Sequence, residues 1–299
     1  MRPRSASLPS PDLTVVIPTR NRRELLRECL VWLESQDDSA GSFEVVVVDD
    51  GSEDGTGAWL QTVRSSRFGF TAVVSPAGGP ASARNEGVKR SRGSRILLLG
   101  DDTFPESGAL GPHAQALSED VGIQGRVDWD ERAEVTAIMR FLAPEGPQFF
   151  FRGLSDGGPV AYWAVTGANF SAPASWFREE PFDTTFPHAA FEDTELAYRW
   201  HRAGRKFRFS ESSICRHHHR YDTLEPFLAR QRRAGRAARY AVRKHPALAF
   251  RCLLLPCAFL PVAFARAGLR RAARKGRPSD AWDIATRTAY LTGFFAGGT

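Results

Sequence analysis

An α/β fold, with a mostly parallel sheet flanked by helices, is predicted by three observations. Four short apolar runs, LTVVIP (13–18), FEVVVV (43–48), FTAVVS (70–75) and RILLLG (95–100), are separated by helical patterns. These runs are continuously hydrophobic rather than alternating, as strands covered on both faces must be. The first, second and fourth end in polar residues, and such sheets bind ligands beyond the carboxyl ends of their strands.

Taken in order, residues 1–12 are rich in Pro and Ser and are expected to be disordered. Leu26, Cys29, Leu30 and Leu33 follow the first strand at i, i+3, i+4, i+7, one face of an amphipathic helix. Ala58, Leu60 and Val63 suggest a second helix after the second strand. ASARNEGVKRS (81–91) reads as a helix behind a Gly-Gly-Pro entry, with Arg84 and Asn85 near its start. TGANFSAP (166–173) reads as a strand and turn, and FEDTELAYRWHRAG (191–204) as a helix stopped by Gly204. KFRFS (206–210) alternates like a strand.

Composition excludes several classes. At 42% hydrophobic and 25% charged, the chain is not disordered overall. Cys29, Cys215, Cys252 and Cys257 form neither a disulfide framework nor a zinc pattern, so buried free thiols in a reducing compartment are expected. The N-terminus lacks an apolar core of signal-peptide length, which points to the cytoplasm. No G-x-G-x-x-G follows the first strand and no G-x-x-x-x-G-K-[ST] occurs, which disfavours a dinucleotide-dependent dehydrogenase or a P-loop NTPase.

The predicted rim collects Pro18 and Arg20, Asp49 and Asp50, and Asp101 and Asp102. Adjacent carboxylates at a strand end can hold a hard divalent cation that clamps a diphosphate, or form a solvated turn. Asp-Gly after the second strand is equally a turn dipeptide. Arg84 suits a phosphate at a helix N-terminus, or a surface ion pair. Glu192 and Asp193 open a helix, where they are either dipole-favoured acids or a general base. Of His217, His218 and His219, neighbours point apart in extended chain, so one ligand and two solvent-facing rings are expected.

Together, TVVIPTRNR (14–22), VVVVDDGSEDGT (45–56), GGPASARNEGVKRSRG (78–93), ILLLGDDTFP (96–105) and FEDTELAYRWHRAG (191–204) resemble family 2 glycosyltransferases of the GT-A fold. The resemblance covers residues 13–220. It implies an inverting transferase that moves a sugar from a nucleotide-diphosphate donor (UDP, GDP or dTDP type) to an acceptor hydroxyl. By position it places Pro18 and Arg20 at the nucleobase, Asp50 on the base, Arg84 near the nucleotide and Asp101 at the ribose. It likewise assigns Asp102 and His217 to Mn²⁺ or Mg²⁺, Asp193 beside Glu192 to the general base, and Ala168 and Asn169 to the transferred sugar. One departure is Gly100, which stands where the usual Asp-x-Asp motif has its first acid. A degenerate nucleotide-sugar-binding scaffold and a nucleotidyltransferase are the competing readings.

Residues 221–299 read as a helical, basic and apolar extension. Residues 220–277 hold fifteen Lys/Arg against two acids, Asp222 and Glu225, hence +13, and the whole chain is +6. Arg232, Arg236, Arg239 and Arg243 form one stripe of a helix over 223–244. Residues 247–265 are apolar except for Arg251, and Pro256 and Pro261 are expected to interrupt them. Peripheral membrane contact through 221–277 on the cytoplasmic face, burial against the α/β domain, or a homo-oligomer interface all fit this pattern. Nucleic acid does not, because no aromatics are interleaved with the arginines. A lipid-linked acceptor held with help from Phe149–Phe151 is one consequence of the membrane reading.

Overall fold

The computed structural model describes residues 11–187, 189–273 and 275–296. The expected disorder of residues 1–12 therefore falls mostly outside the described residues. Among those described, eight strands form one mixed sheet in the order β3-β2-β1-β4-β7-β6-β8-β5. Strands β1 (Leu13–Thr19), β2 (Phe43–Asp50), β3 (Gly69–Ser75) and β4 (Arg95–Leu99) are parallel, as predicted. β1, β2 and β4 are buried nearly throughout, whereas β3 is half-exposed because it forms the sheet edge.

Helix α1 (Arg23–Glu34) buries Leu26, Cys29, Leu30 and Leu33, the face its spacing specified. Helix α2 (Thr56–Leu60) is one short turn and stops before Val63. Helix α3 (Gly79–Arg90) starts earlier than expected, with Pro80 in its first turn, so Arg84 and Asn85 lie in its second turn rather than at its N-terminus. Strand β5 (Thr103–Pro105) and helix α4 (Gly111–Gln115) lead to β6 (Val121–Trp129). Helix α5 (Ala137–Leu142) precedes β7 (Asn169–Pro173), which runs antiparallel to β4 and β6. Helices α6 (Ala174–Glu179) and α7 (Glu192–Arg202) follow, and α7 ends before Gly204 at φ 84°, a left-handed stop that favours glycine.

Strand β8 (Lys206–His217) is much longer than the predicted KFRFS. A register shift between Gly125 and Arg126 of β6 lets β8 continue past Ser210, so that His217 pairs with both Trp129 and Thr103. That bulge carries His217 to the residue beside Asp102. Two cores cover the sheet. One packs Ile96, Leu98, Phe170, Phe177 and Trp200, and the other packs Val15, Ile17, Leu26, Leu33 and Leu99. Phe149 and Phe151 belong to the first core and only Phe150 is exposed, so the run cannot present three rings to an acceptor.

The tail is helical. Helix α8 (Glu225–Lys244) docks behind α7: Ala238 and Ala241 pack with Tyr198, and His245 Nε2 lies 2.7 Å from the buried Glu195 Oε1. Lys244 pairs with Asp183. Helix α10 (Pro278–Phe295) returns along α8, and their backbones cross so closely that a Cβ on Gly235 or Gly293 would fall on the opposing main chain.

Between them the chain stays helical from Pro246 to Ala272, so the two prolines do not break it. A π-helical stretch, Phe250–Leu254, precedes α9 (Leu255–Ala272); Pro256 sits in its first turn and Pro261 inside it. Pro256 has no N–H for the carbonyl of Cys252, four residues back. The Tyr290 hydroxyl donates to that oxygen instead, at 3.0 Å. Tyr290→Phe should lower stability by about 1 kcal/mol, the net worth of one such bond, read from urea unfolding. An unchanged midpoint would show that the carbonyl finds another donor.

Cys29, Cys215 and Cys252 are buried free thiols and Cys257 is half-buried, as the sequence reading required.

Candidate active site

The rim is built by strand ends held in parallel register. Thr19 of β1 faces Asp49 of β2, and Val16 faces Leu98 of β4. These pairings align Pro18–Arg22, Asp49–Ser52 and Gly100–Asp102 along one edge. Asn21, at φ 53°, turns the chain there and ties two of these loops together: its N–H donates to Ser52 Oγ, and its side chain accepts from Glu53 N at 2.7 Å.

Asp101 is buried. It accepts from Thr19 Oγ1 at 2.8 Å and from Arg22 at 3.1 Å. Burial, reinforced by the neighbouring Asp102, pushes its carboxyl above the ordinary range. Asp102 behaves oppositely. Burial acts to raise it, but His217, Arg22 and His219 together outweigh that and hold it well below the usual carboxylate range. Its Oδ2 accepts from Arg22 at 2.8 Å and lies 3.7 Å from His217 Nε2. The His217 ring is wedged against Trp129 and Phe149.

The other two histidines are partly solvent-facing, His218 with its side chain 40% exposed, but each also has a partner in the protein. His218 Nδ1 sits 2.7 Å from Asp130, and its backbone N–H donates to the Asp102 carbonyl. His219 stacks between His217 and Tyr221, and burial, with His217 nearby, lowers it to about 4.

The metal implied by the resemblance can be tested against this donor set. Asp102 and His217 supply one carboxylate oxygen and one imidazole nitrogen converging on the rim. They stand 3.7 Å apart, and Arg22 holds the same Asp102 oxygen at 2.8 Å, so a cation there would displace the guanidinium. Among the described residues no cluster of three or more His, Cys, Asp or Glu could hold a metal ion. This suits a cation that keeps two protein ligands and takes the rest from phosphate and water. A Cβ on Gly100 would lie 2.8 Å from Thr103 Oγ1 and 3.0 Å from Asp102 Oδ1, so an acid at 100 would require those side chains to shift. Asp102 and His217 remain as the two donors that could hold a divalent cation.

Across the rim, Phe191 enters α7 at φ 73°, a strained conformation for a bulky residue that aims the first turn of the helix. Glu192 is buried, and burial, with Asp193 beside it, raises its carboxyl. Its Oε1 receives the Arg84 guanidinium at 2.8 Å, while Oε2 has no partner. Arg84 thus engages an acid, not an open helix N-terminus. The guanidinium lies over Phe182 and against Gly167, where a Cβ would come within 3.0 Å of it. Asp193 is only half-buried. Its Oδ2 accepts from Gly167 N at 3.2 Å and its Oδ1 from Thr194 N at 2.8 Å.

Asp50 accepts the Gly78 and Gly79 N–H groups at 2.7 and 2.9 Å, so it caps α3. Pro18 is half-buried at the rim, Arg20 is exposed beside it, and Ala168 is half-buried after Gly167. Asn169 is a correction. Its side chain is buried and fully engaged, donating to the carbonyls of Arg126 and Ser213 and facing His113 at 3.0 Å, so it braces β7 and has no face for a sugar. The sequence reading missed Thr19, Arg22 and Gly167. Arg22 stands three residues after the strand in TRNR, but nothing in that spacing says that it reaches across to β4.

A family model described as glycosyl transferase family 2 matches residues 14–186, more than half of the chain. The chain belongs to glycosyl transferase family 2.

This family 2 chain is 34% identical over 110 residues to the poly(ribitol-phosphate) beta-N-acetylglucosaminyltransferase TarS of Staphylococcus aureus, a match covering 36% of the chain and 19% of TarS. It is 32% identical over 226 residues to the validoxylamine A glucosyltransferase of Streptomyces hygroscopicus subsp. jinggangensis, covering 65% of the chain and 52% of that protein. The chain thus spans about a fifth of the first relative's length and about half of the second's. Among solved structures, the mannosyltransferase PcManGT from Pyrobaculum calidifontis, in complex with GDP-Man and Mn²⁺, superimposes with a TM-score of 0.65 at 20% identity, over 95% of this chain and 86% of that one. At that identity the likeness speaks for the fold, which is the GT-A arrangement the sequence predicted, with a helical extension.

Proposed function

We propose that this family 2 chain is an inverting glycosyltransferase that moves a sugar from a nucleotide-diphosphate donor to an acceptor hydroxyl. One observation carries the reading. The half-exposed carboxylate of Asp193 accepts from Gly167 N–H, two residues before Asn169, which pairs with Leu99 at the end of the strand that leads to Asp102. A base and a diphosphate anchor on one rim are the two ends of an in-line displacement at the anomeric carbon.

The donor lies along the strand ends, with its base near Pro18, Arg20 and Asp50 and its ribose near Asp101. Asp102 and His217 would hold Mn²⁺ or Mg²⁺, which when bound supplies positive charge against the leaving diphosphate. The donors named for solved relatives, GDP-Man with Mn²⁺ and UDP, are of this chemical type. Asp193 accepts the hydroxyl proton as the acceptor oxygen bonds to the anomeric carbon. Glu192, neutralised by Arg84, keeps a second negative charge away from that base and fixes the helix start. The Thr166–Ala168 loop borders the transferred sugar through its backbone and the half-buried Ala168.

Calorimetric titration with UDP, GDP and dTDP, with and without Mn²⁺, tests the donor site. One nucleotide is expected to bind in a metal-dependent way, and Asp102→Ala should abolish that dependence. Binding of none would favour a degenerate scaffold, and release of pyrophosphate during turnover would indicate a nucleotidyltransferase.

A further inference from the structure

The helix from Pro246 to Ala272 is the least covered apolar element of the described chain. Only 17% of its most apolar window is buried. Phe250, Leu254, Phe259, Val262, Phe264 and Leu269 are all exposed, from 49% at Phe259 to 73% at Leu269. Contiguous apolar surface of this kind marks a partner.

Charge indicates which partner. No acidic residue occurs between Glu225 and Asp280; Arg266 and Arg270 are paired with Asp283 and Asp280 of α10, so the positive excess comes from Arg271, Lys275 and Arg277 at and just beyond the end of the helix. Two copies packed through this helix would oppose cations with cations. An anionic lipid surface offers apolar depth and negative charge together.

The pose follows from α10. Arg266 and Arg270 pair with Asp283 and Asp280 of α10, which then runs back along α8. Arg287 of α10, paired with Asp283, lies over Phe259 in the middle of the apolar stretch, so a membrane-spanning α9 would carry that ion pair into hydrocarbon, and the helix lies in the interface plane instead.

The root of the helix touches the catalytic side. Arg251 stacks on Trp163 at 4.3 Å, Tyr162 packs on Tyr198 of α7, and Cys252 packs in the same cluster as Tyr198. Four residues after Trp163, Gly167 donates to Asp193, and four residues span at most about 14 Å of chain.

Resting on the transferase reading above, we propose that this helix seats the protein on an anionic bilayer surface, with the acceptor side of the Asp193 site close to that surface. The acceptor is then a hydroxyl compound anchored in the bilayer.

Vesicle co-sedimentation of the full chain tests the proposal. Vesicles of phosphatidylcholine with about 30% phosphatidylglycerol should retain the protein, and pure phosphatidylcholine should retain much less. Phe259→Asp/Phe264→Asp should weaken partitioning at least about tenfold, from the lost apolar burial alone. The same variant should keep wild-type circular dichroism and metal-dependent nucleotide binding. Indifference of the wild type to anionic vesicles would overturn the proposal, as would a concentration-dependent dimer that the double variant abolishes. Nucleotide binding reports separately on the donor site, so its failure would count against the transferase reading and not against the membrane surface.

Discussion

Asp193→Asn should lower kcat by about 10²- to 10⁴-fold, the usual worth of a positioned general base. Asparagine has the same shape, and its one amide oxygen can still accept from Gly167 N, keeping the tie to the loop while giving up the bond from Thr194 N within the helix start. What disappears is the capacity to take a proton. Donor KM and calorimetric nucleotide affinity should therefore stay close to wild type while kcat falls, because the lost interaction exists only as the hydroxyl ionises. Turnover at the wild-type rate would sink the base assignment. A parallel rise in donor KM would instead place Asp193 on the donor.

Arg84→Ala should cost about 3–5 kcal/mol of stability, the range for stripping one partner from a buried ion pair. Both side chains are nearly enclosed, at 12% and 9% exposure. Glu192 Oε2 already lacks a partner, and losing the guanidinium leaves the whole carboxylate uncompensated. Burial raises its folded-state pKa even with Arg84 present, and removing the cation raises it further. The unfolded chain then gives up this proton at lower pH than the folded one. The deficit should accordingly be small at acid pH, grow once the pH passes the wild-type folded value, which itself lies above the ordinary carboxylate range, and level off above the still higher folded value of the variant. Urea unfolding across that range measures it. Adding Glu192→Gln should recover much of the loss, because a neutral amide is far cheaper to bury. A double variant no better than the single one would show that Arg84 acts through its packing on Phe182 and Gly167 instead.

Local pattern determined a great deal about this protein. Continuous apolar runs specified β1, β2 and β4, and 3.6-residue spacing specified the buried face of α1. The order of motifs from TVVIPTRNR to FEDTELAYRWHRAG named the family. These properties depend on neighbouring residues and on a fixed order along the chain, which a sequence states directly. The tertiary structure alone decided the contacts between distant residues. The bulge in β8, opposite Gly125 and Arg126 of β6, brings His217 to Asp102, Arg22 crosses to the end of β4, and Gly167 is tied to Asp193 from 26 positions away. Asn169 became a brace rather than a sugar contact because β7 turned its side chain toward His113 and Ser213. At Pro256 the tail helix gains from Tyr290, 38 residues beyond Cys252, the bond that the proline cannot donate. Sheet register and helix crossing set these pairings, and neither is written in the periodicity of any single segment.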